Sequence, residues 1–106
     1  MAWEQFFDQW DVLLCPPCMT TAFPHVDQGA PIHVDDKPVD YWTVSAHTTL
    51  FNYTGHPAVV IPYQQDADGL PIGLQLVSKR WGESRLLAVA KAVSEVLGGF
   101  QKPAGF

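Results

Sequence analysis

The apolar residues of this chain predict an amphipathic helix at each end. Near the start, four aromatic residues fall at i, i+3, i+4 and i+7 spacing: Trp3, Phe6, Phe7 and Trp10. Near the end, aliphatic residues recur with a similar period before Gly98 and Gly99 stop the helix: Leu86, Ala90, Val93 and Leu97. Because residues three and four positions apart lie on the same side of an α-helix, each set forms one face. Each face therefore requires a covering surface.

Between these helices, short apolar runs bounded by turn residues predict three strands. The runs Ala58 to Pro62 and Ile72 to Val77 flank Asp66-Ala-Asp-Gly69. Since an Asp-Gly pair favours chain reversal, the two runs are predicted to form an antiparallel β-hairpin. A third strand, Val12 to Cys15, ends at Pro16-Pro17 because proline has no N–H to donate to a strand ladder.

The segment between the first strand and the hairpin is predicted to contain a loop and a helix. Met19 to Lys37 mixes proline, glycine and polar residues without periodicity, which predicts a long surface loop. A helix is predicted from Asp40, a favourable N-cap, to Gly55, a favourable helix stop. Its apolar residues lie at helical spacing: Trp42, Ala46, Leu50 and Tyr53.

Together these elements predict an α/β fold, a small mixed sheet of about three strands packed with about three helices. The helix at Asp40 would be a right-handed crossover that places the strand at Ala58 parallel to the strand at Val12. A chain of 106 residues can form one core. Residues 1–106 are therefore predicted to form a single domain, with a frayed tail at 101–106.

Charge and hydropathy exclude several classes of partner. The formal net charge is −5 and the pI is near 5.0, so the chain has no basic surface suited to nucleic acid or to an anionic membrane. No apolar run approaches the ~20 residues that cross a bilayer, and the start of the chain lacks the pattern of a signal peptide. A soluble, cytoplasmic protein without nucleic-acid or membrane partners is predicted.

Cys15 and Cys18 form a Cys-Pro-Pro-Cys sequence directly after a predicted strand. Thiols at this spacing can cycle through a disulfide, so a CxxC redox protein is one interpretation. That chemistry needs a following helix to activate the first thiol, and Met19 to Pro24 predicts none, which favours structural thiols. His25 and His33 do not supply the compact second pair typical of a zinc site. No metal and no cofactor is predicted.

The remaining titratable residues favour ordinary structural roles. His47 lies on the predicted helix and His56 in the Thr-Gly-His-Pro turn, and no carboxylate stands at triad-like spacing from either. Both are interpreted as capping or satisfied polar groups. Asp35-Asp36 and the carboxylates from Asp66 to Asp68 are interpreted as solvated, because a calcium loop needs more oxygen ligands at fixed spacing.

Four segments follow one another along the chain: a strand ending in a proline turn, the two parts of a turn-and-strand motif and the opening of the last helix, at Asp11–Pro17, Asn52–Ala58, Gly69–Leu76 and Glu83–Leu87. In this order they resemble the C-terminal part of the amidase signature hydrolases, the Ser-cisSer-Lys family, in which the middle two form the C-terminal signature. The resemblance covers about Phe7 to Leu97 and is silent on the substrate.

The catalytic residues of that family have no counterparts here. Its members cleave amides with a serine, a second serine in a cis peptide bond and a lysine, and both serines lie in a Gly-Gly-Ser-Ser-Gly-Gly type segment farther upstream. The only Gly-Gly of this chain is Gly98-Gly99, followed by Phe100. Ser78 and Lys79 are adjacent, and adjacent side chains on a strand point to opposite faces. The chain alone is predicted not to hydrolyse amides, and no catalytic residue is assigned.

The resemblance also implies a candidate substrate-pocket wall. In the amidase signature enzymes, the helix before the Asn-x-x-Gly turn and the loop before that helix help line the pocket. By order along the chain, the corresponding candidates are Trp42, Ser45, Thr49 and Asn52. For Asn52 we prefer a hydrogen bond to the backbone at the turn. These residues identify no substrate or small-molecule ligand.

Two classes of function fit these observations. The chain is either the non-catalytic C-terminal segment of an amidase signature hydrolase, contributing scaffold and pocket wall to a missing catalytic domain, or a stand-alone small-molecule-binding or assembly module derived from one. Because Met1 begins inside a predicted helix, we expect truncation on the N-terminal side. An edge cut from a larger sheet exposes apolar surface. A homo-oligomer is therefore predicted, most simply a two-fold dimer that buries the Trp3 to Trp10 aromatic face or an orphaned sheet edge.

Overall fold

The computed structural model describes residues 2–105 of the chain. The predicted domain start at Met1 and tail end at Phe106 lie outside the described residues. Within them the chain forms three α-helices, a short 3₁₀ turn and five strands. In chain order these are α1 (Ala2–Gln9), β1 (Leu13–Cys15), β2 (Ile32–Val34), β3 (Lys37–Val39), the 3₁₀ turn (Thr43–Ser45), α2 (Ala46–Thr54), β4 (Ala58–Gln65), β5 (Pro71–Val77) and α3 (Glu83–Val96).

The main sheet has three strands in the order β1-β5-β4. The predicted hairpin is confirmed: Ala58 pairs with Val77 and Gln65 with Pro71, with a bulge between Pro62 and Gln64. Both pairings in this sheet are antiparallel, because β5 lies between β1 and β4 and runs opposite to each of them. The strands β1 and β4 therefore run parallel to each other, as predicted, but are not neighbours. The α/β class with three helices and a three-stranded sheet is confirmed, whereas the mixed pairing is corrected.

Each face of the sheet carries a different set of helices. Leu76 on one face packs against Leu86 and Ala90 of α3, as the apolar stripe of that helix predicts. On the other face, Val77 packs with Phe7 of α1 and Phe51 of α2. The sheet is thus the central layer, and the core has an aliphatic half and an aromatic half.

The predicted aromatic face of α1 is mostly used inside the molecule. Phe7 is buried, and the Trp3 ring lies 5.4 Å from the Phe51 ring in an edge-to-face contact. Phe6 packs against the same cluster, and Trp10, which follows the helix, is 60% exposed. Phe7 is thus covered inside the molecule, whereas Trp3 and Phe6 are only partly covered. Burial of this face between subunits stays a prediction.

The segment predicted as an unstructured loop contains a small hairpin. Strands β2 and β3 pair antiparallel, and Val34 opposite Lys37 leaves Asp35 and Asp36 as a two-residue turn. Both turn residues have positive φ, 49° and 60°, as a type I′ turn requires, and aspartate tolerates this conformation better than most residues. The loop prediction is corrected for this part: the two carboxylates form a hairpin turn.

The predicted helix ends are largely confirmed. Asp40 caps the start of the predicted central helix, although its first turn is 3₁₀ and α2 proper begins at Ala46. Gly55 ends α2 in the left-handed conformation with φ 71°. Residues 101–105 form no helix or strand. None of the helices between residues 2 and 105 is both long and apolar enough to cross a membrane.

Candidate functional site

The candidate pocket-wall residues lie on and just before α2, where the chain is fixed by local hydrogen bonds. The Asp40 carboxylate accepts hydrogen bonds from the backbone N–H of Trp42 at 3.0 Å and of Thr43 at 3.1 Å, and from the Thr43 hydroxyl at 3.1 Å. The Trp42 ring makes an edge-to-face contact with Tyr41 at 5.0 Å. Side-chain capping satisfies N–H groups that the helix leaves free. The Asp40 cap thus fixes the backbone at Trp42, and the Trp42 side chain points outward.

Ser45 stands where the 3₁₀ turn joins α2, and its polar groups are engaged locally. Its hydroxyl donates to the Trp42 carbonyl at 3.3 Å, and its carbonyl accepts from the Thr48 and Thr49 hydroxyls at 2.9 and 3.1 Å. The neighbouring Val44 is buried, and its carbonyl accepts the Met19 N–H at 3.1 Å. The site is thereby tied to the loop that follows β1.

An apolar surface, here termed the α2 face, is the main feature of this site. It surrounds a shallow depression of about 500 Å³ and consists of Trp42, Thr43, Ala46, Thr49, Leu50 and Tyr53. Trp42 is 61% exposed, Leu50 43% and Tyr53 92%. None of the six side chains is charged. The four residues with helical spacing thus form the predicted stripe, but that stripe faces outward.

The structure brings together two of the four candidate pocket residues. Trp42 and Thr49 line the depression of the α2 face, whereas Ser45 and Asn52 do not. Asn52 is exposed, and within residues 2–105 its side chain makes no hydrogen bond to the turn. The preferred role of Asn52 is therefore not observed. The turn is instead held by the Gly55 N–H on the Phe51 carbonyl at 2.9 Å and by the Arg80 Nε on the Thr54 carbonyl at 2.9 Å.

His56, directly after this turn, is buried and contacts residues of both α2 and α1. Its Nδ1 lies 2.9 Å from the Thr54 hydroxyl, and its Nε2 lies 3.4 Å from Glu4 Oε1 on α1. The rings of Phe7 and Trp3 lie 5.4 and 6.3 Å away. The interpretation of His56 as a capping or satisfied polar group agrees with the Thr54 contact of Nδ1, but Nε2 is buried and has no hydrogen-bond partner among residues 2–105. No pattern in the sequence indicates the Glu4 contact, because the two residues are far apart along the chain.

A second depression, here termed the sheet groove, lies between the loop after β1 and the hairpin. It has a volume of about 520 Å³ and is lined by Pro16 to Ala22, Val60 and Pro71 to Gly73. A Cβ on Gly73 would lie 2.7 Å from Val60 Cγ1, so glycine is needed where the strand meets this side chain. Cys18 lines the groove, while the Cys15 sulfur accepts a hydrogen bond from Gln75 Nε2 at 3.2 Å. Both thiols are free.

Ser78 and Lys79 do not approach each other as a nucleophile and its base. The Ser78 hydroxyl is buried and donates to the Lys79 carbonyl at 3.4 Å. The Lys79 amine instead contacts Asp8 of α1 at 2.5 Å, and this hydrogen bond together with the Asp8 charge raises the lysine pKa above its ordinary value. The amine is therefore held in its charged form, turned away from Ser78, and serves to attach α1.

The cations around Ser78 line a small cavity of about 280 Å³ together with Trp10 and Trp81. Lys79 contacts Asp8, Arg85 contacts Asp11, and Arg80 donates to the Thr54 carbonyl. Because each of these cations already has an oxygen partner, the cavity is poorly suited to hold an anion. Within residues 2–105, no group of three or more His, Cys, Asp and Glu side chains is arranged to hold a metal ion.

The family model for amidases matches residues 1–87 of the chain. Among curated proteins, a Glutamyl-tRNA(Gln) amidotransferase subunit from Cereibacter sphaeroides is 34% identical over 100 residues, which are 94% of this chain and 19% of that protein. The Fatty acid amide hydrolase of Oryza sativa subsp. indica is 36% identical over 97 residues, covering 88% of this chain and 15% of that protein. The chain thus spans 15–19% of the length of these relatives.

A solved structure has the same fold over most of this chain. It is described as a vestigial protein complex that reveals the evolutionary origins of an s-triazine catabolic enzyme. Its inhibitor-bound form superposes with a TM-score of 0.72 and 26% identity, over 87% of this chain and 20% of the other. Since the family model covers most of the chain and the fold agrees, the chain belongs to the amidase family. The predicted resemblance is confirmed.

Proposed function

We propose that this chain is the C-terminal scaffold and pocket-wall segment of an amidase-family hydrolase, and that the residues that react with the amide lie outside it. The single observation that carries this proposal is the α2 face: an exposed, uncharged, apolar surface on an otherwise ordinary acidic chain. In a wall segment, such a surface would contact the catalytic domain and the substrate rather than water.

The local construction of the α2 face supports a positioning role. The Asp40 cap fixes its first turn, the Val44 carbonyl holds the loop after β1 at Met19, and buried Phe51 anchors α2 to the sheet. Pocket walls work when side chains are held by packing and hydrogen bonds before the ligand arrives. Trp42 and Thr49 are therefore the residues proposed to contact substrate, and Ser45 shapes the turn that presents them.

The placement of Ser78 and Lys79 supports the absence of amide chemistry in the isolated chain. A serine nucleophile needs an adjacent base and donors aimed at the developing oxyanion. Here the Ser78 hydroxyl bonds a carbonyl and the Lys79 amine bonds a carboxylate. Assayed against simple aryl amides and esters, the chain alone is expected to show no turnover. Turnover that disappears in Ser78→Ala would overturn this part of the proposal.

A chimera tests the wall itself. The matching C-terminal segment of the rice Fatty acid amide hydrolase is replaced by this chain, and fatty acid amide hydrolysis is measured. The chimera is expected to remain active. Thr49→Trp in the chimera should raise KM roughly tenfold with a smaller change in kcat, because a larger wall residue obstructs ground-state and transition-state binding alike.

The matched control is Leu87→Trp on the outer side of α3. Leu87 is 61% exposed, and α3 packs on the other face of the sheet from α2, so this substitution should change neither constant. A folded chimera that is inactive, or a Thr49→Trp variant that behaves like the control, would contradict the wall assignment. The alternative of an assembly module is supported by the same exposure of the α2 face, since an uncovered apolar surface also favours contact with another protein.

A further inference from the structure

We propose that His56 carries a proton on Nε2, donates it in a hydrogen bond to Glu4, and so acts as a latch that holds α1 against the turn at the end of α2. His56 lies directly after that turn, and Glu4 lies in the first turn of α1. The distance from His56 Nε2 to Glu4 Oε1 is 3.4 Å. The latch does not depend on the pocket wall proposed above, because it concerns how this segment holds its own first helix.

The two facing atoms have no other partner within residues 2–105. Both His56 Nε2 and Glu4 Oε1 are buried, and neither makes a hydrogen bond to another of these residues. A separation of 3.4 Å leaves no room for a water molecule between them. Because a buried polar atom without a hydrogen bond is costly, each of the two atoms is best satisfied by the other.

The hydrogen atom between them has to come from His56. An ionised carboxylate only accepts hydrogen bonds, so a bond here requires a proton on Nε2. The other ring nitrogen, Nδ1, lies 2.9 Å from the Thr54 hydroxyl, which can donate to it at the expense of a 3.4 Å contact with the Phe51 carbonyl. A neutral ring protonated on Nε2 is therefore satisfied on both sides. A ring protonated on Nδ1 would instead turn a lone pair toward the carboxylate.

Two cations near Glu4 do not replace His56 as its donor. Lys79 Nζ lies 4.0 Å from Glu4 Oε2, and Arg80 Nε lies 4.0 Å from Glu4 Oε1. Both distances exceed that of a hydrogen bond. Lys79 bonds Asp8 instead, and Arg80 donates to a backbone carbonyl at the end of α2. The buried carboxylate oxygen thus remains available to His56.

The latch matters because α1 is short. A helix of eight residues is marginal on its own in water, so its attachment decides how often it opens. Its aromatic face packs beside the latch: the His56 ring lies 5.4 Å from the ring of Phe7 and 6.3 Å from that of Trp3. We therefore expect α1 to open as a local unit, exposing these rings, with a frequency that depends on the bond between His56 and Glu4.

Amide hydrogen exchange of the purified chain tests the latch, with α3 as the internal reference. Glu4→Ala removes the acceptor, and His56→Asn removes the group at the Nε2 position. Each is expected to speed the exchange of the α1 amides roughly tenfold or more, with a smaller change in α3, because a hydrogen bond to a charged group is lost. His56→Gln, whose amide nitrogen reaches the Nε2 position, should restore most of the protection.

The double variant separates the bond from the loss of each side chain. If both residues act through one bond, Glu4→Ala combined with His56→Asn should exchange no faster at α1 than His56→Asn alone, whereas independent effects would multiply. Asp8→Ala is the matched control on the same helix. The Asp8 side chain is 62% exposed and its ion pair lies at the surface, so α1 exchange should change less than about threefold.

NMR of the His56 ring gives a readout that packing alone would not change. At about pH 8, where an ordinary histidine is neutral, we expect a proton on Nε2 that exchanges slowly with water. This resonance should move upfield in Glu4→Ala, since a carboxylate acceptor shifts the donor proton downfield. A ring protonated on Nδ1 alone, an Nε2 proton indifferent to Glu4→Ala, or effects that multiply in the double variant would overturn the latch.

The chimera assay of the proposed function reports separately. An inactive chimera together with a protected Nε2 proton on His56 would reject the pocket wall and keep the latch. An active chimera together with a His56 ring protonated on Nδ1 alone would reject the latch and keep the pocket wall.

Discussion

Helices α2 and α3 carry apolar stripes of the same period, yet only one stripe is buried. In α3, Leu86 and Ala90 lie against the sheet, and Leu86 is 2% exposed. In α2, Leu50 and Tyr53 lie in solvent, and the helix attaches through Phe51, a residue outside the predicted stripe. The difference shows that a helical period identifies a shared face but not the surface that covers it.

Family membership explains why the two stripes differ. The chain spans 15–19% of the length of these relatives, so surfaces that are internal in a larger amidase can be external in this chain. The α3 stripe is covered by strands that belong to the same segment. The α2 stripe has no such cover within residues 2–105, and it is therefore the part of the molecule where function is proposed.

The largest expected effect compares a leucine from each stripe. Leu86→Ala should lower the free energy of unfolding by about 2–5 kcal/mol, because it removes buried contacts and leaves a cavity beside Leu76. Leu50→Ala should cost less than about 1 kcal/mol, since the side chain is 43% exposed. Urea denaturation at a concentration where the chain is monomeric provides both values. Equal losses would mean that the α2 stripe is covered within a single copy.

Much of the fold follows from patterns that depend on neighbouring residues. The hairpin of β4 and β5 was predictable because Asp66 to Gly69 specifies the turn and the flanking runs have strand composition. The end of α2 was predictable because Gly55 tolerates a left-handed backbone. The pairing of β1 with β5 was not, because the position of a strand in a sheet depends on contacts between residues far apart in the chain.

The site was predictable only in part, for physical reasons. The stripe of Trp42 and Leu50 was visible in the sequence, but its exposure depends on what the remainder of the fold covers. The β2–β3 hairpin was missed because its strands have three residues each and one contains Pro38, which ordinarily argues against a strand. The contact of His56 with Glu4 joins residues in separate elements at a distance along the chain, and no local pattern indicates it.

A second comparison concerns the glycines that end the two helices. Gly55 ends α2 with φ 71°, and Gly98 follows α3 with φ 91°. Gly55→Ala should cost about 1–2 kcal/mol, because the next residue is buried His56 and the chain cannot relax. Gly98→Ala should cost less than about 0.5 kcal/mol, since the exposed tail can change conformation freely. Thermal unfolding would measure both, and a larger loss for Gly98→Ala would contradict the view that α2 is the more firmly tied helix end.

The start of α2 should show a smaller effect. Asp40→Ala removes the acceptor for two backbone N–H groups and the Thr43 hydroxyl, and should cost about 1 kcal/mol. Asp40→Asn should restore most of this loss because its amide oxygen can accept the same bonds. The N-cap residue of α3 is Gly82, which makes no side-chain capping hydrogen bond, so α3 has no equivalent of Asp40. If the Asp40→Asn and Asp40→Ala variants had the same free energy of unfolding, loss of the Asp40 charge, rather than loss of the cap, would explain the lower stability.

The smallest effect concerns the turn between β4 and β5, the hairpin of the sheet on which both helices pack. Asp66 accepts hydrogen bonds from the N–H groups of Leu70 and Asp68, both at 2.9 Å. These bonds, the one from Leu70 foremost, lower the pKa of this carboxyl below its ordinary value of 3.8. A lowered pKa stabilises the folded state above pH 3.8, and the contribution is lost as the pH falls through the lowered value.

An NMR titration of the Asp66 carboxyl carbon should therefore give a midpoint below 3.8. Asp66→Asn should be slightly less stable than the parent chain at neutral pH, and the difference should shrink as the pH falls below that midpoint. The α2 and α3 resonances should not follow the same titration, because the turn is exposed and lies beyond the packed parts of both helices. A midpoint at or above the ordinary value would show that the turn forms without these bonds. If the α2 resonances followed the Asp66 titration and the α3 resonances did not, α2 alone would be coupled to the turn at the far end of the sheet.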